Sequence, residues 1–390
     1  MNYKKWNIAF LCLVLAVFTV LASVNYVVDP FGYFSFQAGD YEAVDFPVDT
    51  TYYQRELKAQ HVLHYSDNYD AYLIGGSKSG SYRAEKLQEL DGYRYYSMYE
   101  AGGSFYEYEL ETEFLLKYAN PKKILLSISG GEVNYLKRNQ EDITVKVPAI
   151  LTGESRFLEM IDFLFMDITR SIDRLKERLN GKSYAELTPT GERNLSKYYQ
   201  KMENGTDMEE YTRNAVLDTF AARMRTLFTK DKEASYIEES LASLKRIKEM
   251  CDSSGVELMV IVAPSFISEM GKFESSYFRT YLNEIALITD YWDFSGFHDI
   301  DLNPYNFYND GHFYYEVDDL VIDTITGKDS YPGFGYYVTR ENAAQHLAER
   351  EADYARLQEE YLETGTIRLL GQEDESCLVK SETEKQQGSY

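Results

Sequence analysis

Residues 71–80, AYLIGGSKSG, are the stretch that decides the fold. The apolar run at 71–74 is typical of a short buried strand, and it stops at the pair Gly75-Gly76. Glycine tolerates backbone angles that other residues resist, so the chain can turn sharply here and present Ser77. A helix beginning just after Ser77 would direct its free N–H groups at a developing negative charge. The stretch predicts a candidate nucleophile at a strand end; the alternative is an ordinary turn with an inert serine.

Further strands are predicted from short apolar runs separated by helical patterns, at residues 95–98, 123–129, 257–263 and 291–294. Alternating strands and helices predict an α/β domain with a mainly parallel, five-stranded sheet covered by helices on both faces. Ligands of such sheets bind at the carboxyl ends of the strands. Three predicted strand ends carry glycine followed by polar residues, at 75–77, 102–104 and 130–134. We therefore expect a site at this edge.

The predicted α/β domain is split into two parts, residues 29–134 and 231–335. Between them, residues 135–230 are charged, follow helical patterns at 157–179 and 208–228, and contain no convincing strand. We interpret this segment as a helical insertion or cap. Residues 336–390 are predicted to form a charged helix followed by a disordered tail beyond Gly371, where Glu, Gln and Ser dominate.

The N-terminus, residues 1–28, carries a membrane signal. Lys4 and Lys5 precede an uncharged run at 6–28, which is long enough to cross a hydrocarbon core of about 30 Å. The two lysines place the N-terminal end in the cytoplasm and the chain after Asp29 outside. A signal peptide cleaved after Ala22 is the alternative. We favour a retained single-pass anchor in the cell membrane, with the bulk of the chain extracytoplasmic.

Composition narrows the classes of function. A net charge of −24 on 390 residues argues against nucleic acid as a partner, because nucleic-acid binders need a basic face. The 36 tyrosines suit extended polar surfaces such as sugar-binding clefts. The three cysteines, Cys12, Cys251 and Cys377, show no C-x-x-C spacing, so neither a disulfide framework nor a thiolate metal site is expected. One bridge between Cys251 and Cys377 is possible but unsupported. No cofactor is expected.

A candidate base for Ser77 lies far downstream, in the sequence Asn309-Asp310-Gly311-His312. A serine hydroxyl is a poor nucleophile until a base takes its proton, and a histidine held by a carboxylate or an amide is the usual base. The chain has five histidines, and His312 alone lies beside an acid and a glycine in a loop after the last predicted strand. A purely structural histidine is the alternative.

Two other motifs fail on their spacing. The segment GGSKS is similar to a phosphate-binding P-loop, but the full pattern needs glycine at Tyr72 and Ser77. The spacing of Asp299, Asp301 and Asn303 is similar to a calcium loop, but Pro304 stands where the sharp turn demands glycine. No metal site is predicted.

The segments LIGGSKSG, the glycine pair at 102–103, YWDFSG and FYNDGHFYYEV together resemble the SGNH (GDSL-like) hydrolase superfamily. The segment VDPFGYF, just beyond the apolar run, is similar to the membrane-anchored, exported branch that serves cell-envelope polysaccharides and teichoic acids. The resemblance implies a flavodoxin-like, three-layer α/β/α fold and O-acyl ester chemistry. Several relatives in that branch work beside a membrane-bound O-acyltransferase.

The resemblance also implies roles for residues. Ser77 would be the nucleophile, with His312 as general base and then as acid toward the leaving group. The backbone N–H groups of Ser77 and Gly103 would form the oxyanion hole. The family's oxyanion-hole asparagine has no clean match here, and Asn134 is the candidate.

The acid of the site departs from the family pattern. The position three residues before the histidine holds Asn309, and Asp310 follows one residue later. A carboxylate stabilises the imidazolium formed during attack, whereas an amide can only orient the ring. We therefore predict Asp310 as the working partner of His312, with Asn309 as the alternative.

These inferences define the expected function, that of an O-acyl esterase or acyltransferase. The expected substrate is an envelope polysaccharide or a teichoic-acid-like polymer, and a membrane-bound O-acyltransferase is a candidate partner. The alternative is a non-catalytic, membrane-anchored binding or scaffold protein on a degenerate SGNH fold that partners such an acyltransferase.

Overall fold

The computed structural model describes residues 3–35, 54–130, 132–134, 146–180, 187–203, 236–267, 275–303, 306–309, 311–328, 331, 333–364, 367–368 and 378–379. These residues belong to two compact units. The first is formed by segments 1–67, 117–119 and 138–189, and the second by segments 68–116, 120–137 and 190–390.

Ten strands are described, and all of them lie in the second unit: β1 Ala71–Gly75, β2 Tyr95–Ser97, β3 Lys123–Ile128, β4 Glu257–Val262, β5 Tyr291–Asp293, β6 Phe307–Asn309, β7 His312–Phe313, β8 Tyr336–Val338, β9 Ile367–Arg368 and β10 Leu378–Val379. Six of them form one sheet in the order β2-β1-β3-β4-β5-β8. The first five strands in this order are parallel, and β8 runs antiparallel to β5. The pairs β6–β7 and β9–β10 are separate two-stranded sheets.

The central strands are buried along their whole length. Every residue of β1 and β3 is buried, as expected for parallel strands that are covered on both faces. The predicted α/β class and the mainly parallel sheet are therefore confirmed.

The described α-helices are α1 Tyr3–Val28, α2 Gln54–Tyr65, α3 Ala84–Leu87, α4 Phe105–Tyr118, α5 Ala149–Thr152, α6 Arg156–Leu164, α7 Ile168–Leu179, α8 Ser196–Glu203, α9 Ile237–Ser254, α10 Ser275–Ile288, α11 Tyr315–Ile325 and α12 Ala343–Thr364. Their ends follow local chemistry. Helix α9 buries Leu244, Ile247 and Cys251 on one face and stops at Gly255, whose left-handed backbone (φ 69°) ends the helix.

The strand count predicted from the sequence was wrong by one. The sixth strand, β8, is three residues long, and its first two residues are exposed tyrosines. It lies between Gly335 and the charged helix α12, so no buried apolar run marks it. A short antiparallel edge strand of this kind leaves little pattern in a sequence.

Other expectations can be compared with the structure in part. The segment that follows β1 is a short 3₁₀ turn, Ser77–Ser81, and not a longer helix beginning just after Ser77. The predicted insertion contains the helices α5 to α8, whereas the pattern at 208–228 lies outside the described residues. The tail beyond residue 371 also lies outside them, apart from β10.

The first unit contains α1, whose most apolar 18-residue window has a mean hydropathy of 2.5 and is not buried by the rest of the protein. By length and composition α1 can cross a membrane, although a signal sequence meets the same criteria. The coarse prediction of an apolar N-terminal helix is confirmed. Retention of this helix and its orientation in the membrane stay predictions.

Candidate active site

Ser77 follows the carboxyl end of β1, and two glycines bring the chain to it. A Cβ atom on Gly75 would collide with the carbonyl oxygen of Ser127 and the hydroxyl of Ser79. A Cβ atom on Gly76 would lie 2.8 Å from Glu132 Oε1. Glycine is needed at position 75 because the backbone of β3 and the following turn approach too closely for a side chain, whereas at Gly76 the close neighbours are the ends of the Glu132 and Tyr108 side chains.

His312 lies within hydrogen-bond distance of Ser77, although 235 residues separate them. Its Nε2 atom is 2.8 Å from Ser77 Oγ. His312 opens β7, which pairs with β6 through the register Asn309 to His312. The ring of Tyr308 stacks on the imidazole, with 5.5 Å between centroids and 17° between planes. The β6–β7 hairpin and this stacking fix the direction of the imidazole.

The electrostatic surroundings favour a neutral His312. Burial, followed by the nearby positive charges of Arg193 and Lys78, holds the pKa of His312 well below its usual range. At neutral pH the imidazole is therefore uncharged, and its Nε2 atom can accept the proton of Ser77. This is the protonation state that a general base requires.

Two cations flank this pair. Arg193 donates from its backbone N–H to Gly80 O (2.9 Å) and from Nη1 to Tyr308 Oη (2.6 Å). Lys78 donates from Nζ to Ser265 Oγ (2.6 Å). Neither cation has a carboxylate within 4.0 Å among the residues that the structure describes. Both positive charges act on His312, in a chain whose net charge is −24.

A buried carboxyl group and a tyrosine line the other side of the loop. Glu132 Oε2 accepts hydrogen bonds from Ser129 N (2.8 Å) and Ser129 Oγ (2.6 Å), and burial raises the pKa of Glu132. The hydroxyl of Tyr108 lies 3.0 Å from the Cβ position of Gly76 and 2.8 Å from that of Gly103. The backbone at Gly103 is therefore close to the loop that carries Ser77.

The predicted site residues fall into two groups. Ser77 and His312 are in contact, and Gly103 lies near their loop. Asn134 ends the 3₁₀ turn Glu132–Asn134, but its side chain is outside the described residues. Asn309 lies in β6 opposite His312, again without a described side chain, and Asp310 is outside the described residues altogether. The roles predicted for all six residues stay predictions.

Sequence reasoning missed several neighbours of the pair. Lys78 is adjacent to Ser77, and Tyr308 lies four residues before His312, so a closer reading of the two motifs could have found both. Arg193 lies in the segment interpreted as an insertion and carries no local motif. Only the folded chain brings it beside the site.

Among the described residues, no group of three or more His, Cys, Asp and Glu side chains is arranged to hold a metal ion. The side chains at the site instead supply a hydroxyl, an imidazole and two cations. A nucleophile paired with a base can transfer acyl groups through a covalent intermediate.

The functional argument depends on this geometry, because comparison with known proteins adds nothing to it. No protein-family model matches the chain, and no curated protein sequence matches it. The class defined by fold and site is therefore an α/β protein with a serine–histidine pair at the carboxyl edge of a parallel sheet.

Proposed function

We propose that this protein is an extracytoplasmic O-acyl esterase or acyltransferase of SGNH type that acts on a cell-envelope glycopolymer. The observation that carries the proposal is the 2.8 Å separation between Ser77 Oγ and His312 Nε2. The strand order β2-β1-β3-β4-β5 supports it, because flavodoxin-like sheets have this order and bind ligands at the carboxyl ends of their strands.

In the first step, Ser77 Oγ attacks the carbonyl carbon of the acyl ester while His312 Nε2 takes the hydroxyl proton. The negative charge that develops on the carbonyl oxygen is stabilised by the backbone N–H groups of Ser77 and Gly103. His312 then returns the proton to the departing alcohol oxygen. The acyl group is left as an ester on Ser77.

In the second step, an acceptor hydroxyl attacks the acyl-enzyme, and His312 again acts first as base and then as acid. Water as acceptor makes the protein an esterase. A sugar or polyol hydroxyl makes it an acyltransferase. The polymer, polysaccharide or teichoic-acid-like, follows from the family resemblance, as does a membrane-bound O-acyltransferase as partner.

The test is hydrolysis of a chromogenic acetyl ester by the full-length protein in detergent. We expect Ser77→Ala to lower kcat/KM by a factor of about 10⁴–10⁶, the usual effect of removing a serine nucleophile. Ser253→Ala is the matched control, because this serine is exposed and its hydroxyl donates, among the described residues, to the Met250 carbonyl oxygen of its own helix alone. Its activity should equal that of the unsubstituted protein.

Equal activity in Ser77→Ala and in the unsubstituted protein would contradict the catalytic assignment. If the unsubstituted protein has no esterase or transferase activity but binds an envelope polymer, the scaffold function is favoured instead. Circular dichroism of Ser77→Ala separates loss of the nucleophile from loss of the fold.

A further inference from the structure

Helices α6 and α7 pack against α1 and are tied to it by a buried asparagine. Asn25 Nδ2 donates hydrogen bonds to the carbonyl oxygens of Leu164 (3.0 Å) and Met166 (2.9 Å). Ser171 Oγ donates to Asn25 Oδ1 (2.7 Å). Because Asn25 is fully buried, this bonding fixes the turn between α6 and α7 against the apolar helix.

The contact extends along the C-terminal half of α1. Phe165, in the α6–α7 turn, meets Phe18 edge-on with 5.6 Å between ring centroids. Arg178 Nη1 donates to the carbonyl oxygen of Val28, the last residue of α1 (2.9 Å). Phe18 and Val28 are about 15 Å apart along the helix axis, so the two helices follow α1 over that length.

The polar and apolar faces of α7 are reversed relative to those of a helix in a soluble protein, because its buried side chains are polar and its exposed stripe is apolar. Its buried residues are Ser171 and Arg174, both polar. Ile172, Leu175 and Leu179 follow helical spacing along one stripe and are 43%, 42% and 86% exposed. In a soluble protein such a stripe would face the core.

Neighbouring residues extend this exposed apolar surface. Phe157 and Leu158 on α6 are 64% and 61% exposed, and Phe165 is 42% exposed. We call the combined surface the α6–α7 apolar face; it comprises Phe157, Leu158, Phe165, Ile172, Leu175 and Leu179. Several large apolar side chains exposed on two neighbouring helices mark a site of interaction with a protein or a membrane.

The position of α1 indicates that the partner of this apolar face is a membrane. A hydrocarbon core of about 30 Å that begins at Trp6, just after the lysine pair, ends near Tyr26. Phe18 lies about 18 Å from Trp6 along the same axis, so its partner Phe165 would be below the lipid boundary. When α1 crosses a bilayer, the turn between α6 and α7 therefore lies within that bilayer.

We propose that the α6–α7 apolar face is embedded in the lipid bilayer that α1 crosses, with the turn between α6 and α7 below the headgroups. Helix α7 carries four basic and two acidic side chains, although the whole chain is strongly acidic. Basic side chains beside an apolar stripe are typical of interfacial helices that bind anionic headgroups. The proposal requires that α1 is retained, and it is independent of the chemistry at Ser77.

The test uses the full-length protein in liposomes of phosphatidylcholine and phosphatidylglycerol. An environment-sensitive fluorophore is attached to Leu175→Cys or Phe165→Cys, in a background in which Cys12 and Cys377 are replaced by serine. Cys251 is buried and stays. Asp173→Cys is the matched control, since Asp173 lies on the same helix, is 65% exposed and faces away from the apolar stripe.

We expect lipids with a shallow nitroxide to quench the Leu175 and Phe165 probes about threefold more strongly than the Asp173 probe, as for groups about 5–10 Å below the headgroups. Aqueous iodide should give the reverse order. Equal iodide quenching at all three positions would overturn the proposal, because the face would then be open to water. Protection from both quenchers would also overturn it, since a second copy of the chain or another protein would then cover the face.

Discussion

Two buried clusters in the second unit contain a serine and a histidine, yet they differ in their connections. In the candidate active site, Ser77 Oγ faces His312 Nε2 directly. In the other cluster, Asp293 stands between the two residue types: it accepts from Ser295 Oγ (2.5 Å) and contacts His346 Nε2 (2.9 Å). The hydroxyl of Ser295 therefore donates its hydrogen bond to a carboxylate and not to an imidazole.

The charges around the two histidines differ as well. Arg350 Nη1 lies 2.5 Å from Asp293 Oδ2, on the same oxygen that contacts His346. Burial raises the pKa of Asp293, but Arg350 and His346 outweigh it and hold that pKa below its usual range. The carboxylate stays charged and paired, which suits a structural link between β5 and α12. His312, by contrast, is kept neutral by burial and by the nearby positive charges of Arg193 and Lys78.

The comparison shows that residue types alone do not make a nucleophile. Both clusters contain serine, histidine and nearby charges, but only one pairs the hydroxyl with a neutral base. The carboxylate of Asp293, whose pKa is held below its usual range by Arg350 and His346, is a weak base for the proton of Ser295.

The largest expected difference is between His312→Ala and His346→Ala. Removing His312 should lower kcat/KM on an acetyl ester by a factor of about 10⁴–10⁶, because Ser77 then lacks a base. Removing His346 leaves Asp293 with one partner fewer, which should destabilise the protein by about 1–3 kcal/mol. Steady-state kinetics and thermal unfolding in detergent measure the two effects.

His346→Ala should keep activity within about threefold at temperatures where it stays folded, as a substitution outside the catalytic pair does. If its activity falls as far as that of His312→Ala while the fold is intact, the two clusters work together and the distinction between them is wrong.

The position of Ser77 at a strand end could be predicted because apolar runs and glycine pairs are local signals in the sequence. The run at 71–74, the two glycines and Ser77 are contiguous, and the expected strand end is present. His312 was identified by a local signal too, an acid and a glycine beside it. Contact between the two comes from the β6–β7 hairpin, a separate two-stranded sheet that brings His312 to the loop after β1.

What the sequence could not predict depends on long-range packing. Arg193 reaches the site through one backbone and one side-chain hydrogen bond, to Gly80 and Tyr308, and neither bond leaves a local pattern. The low pKa of His312 is due first to burial and then in part to that approach. The helical pattern at 157–179 does not show which face of α7 the fold leaves open, and that face is known only from the contacts of α7 with α1.

A smaller effect concerns the partner of His312. We expect Asp310→Asn to lower kcat by a factor of about 10² or more, since a carboxylate stabilises the imidazolium that forms as Ser77 attacks. Asn309→Ala should have a much weaker effect. The measurement is kinetics of both variants on one ester. A greater loss of kcat in Asn309→Ala than in Asp310→Asn would contradict this prediction. The imidazole of His312 would then be oriented by an amide and not by a carboxylate.

The smallest predicted effect tests the charge difference itself, through Arg193→Gln. The positive charge of Arg193 disfavours protonation of His312, so its removal should raise the pKa of that imidazole. A base with a higher pKa stays protonated to a higher pH, and the acid limb of the kcat/KM profile should therefore move to higher pH. On that limb we expect a loss of roughly threefold to tenfold, about 0.6–1.4 kcal/mol, with little loss at alkaline pH.

Arg193→Lys keeps the charge and should hold the limb in place. Arg279→Gln changes the net charge equally at an exposed residue paired with Glu351, and it should leave the profile unchanged. If Arg193→Gln lowers activity by the same factor at every pH, Arg193 acts by holding Tyr308 against the imidazole, and the neutrality of His312 then depends on burial and Lys78.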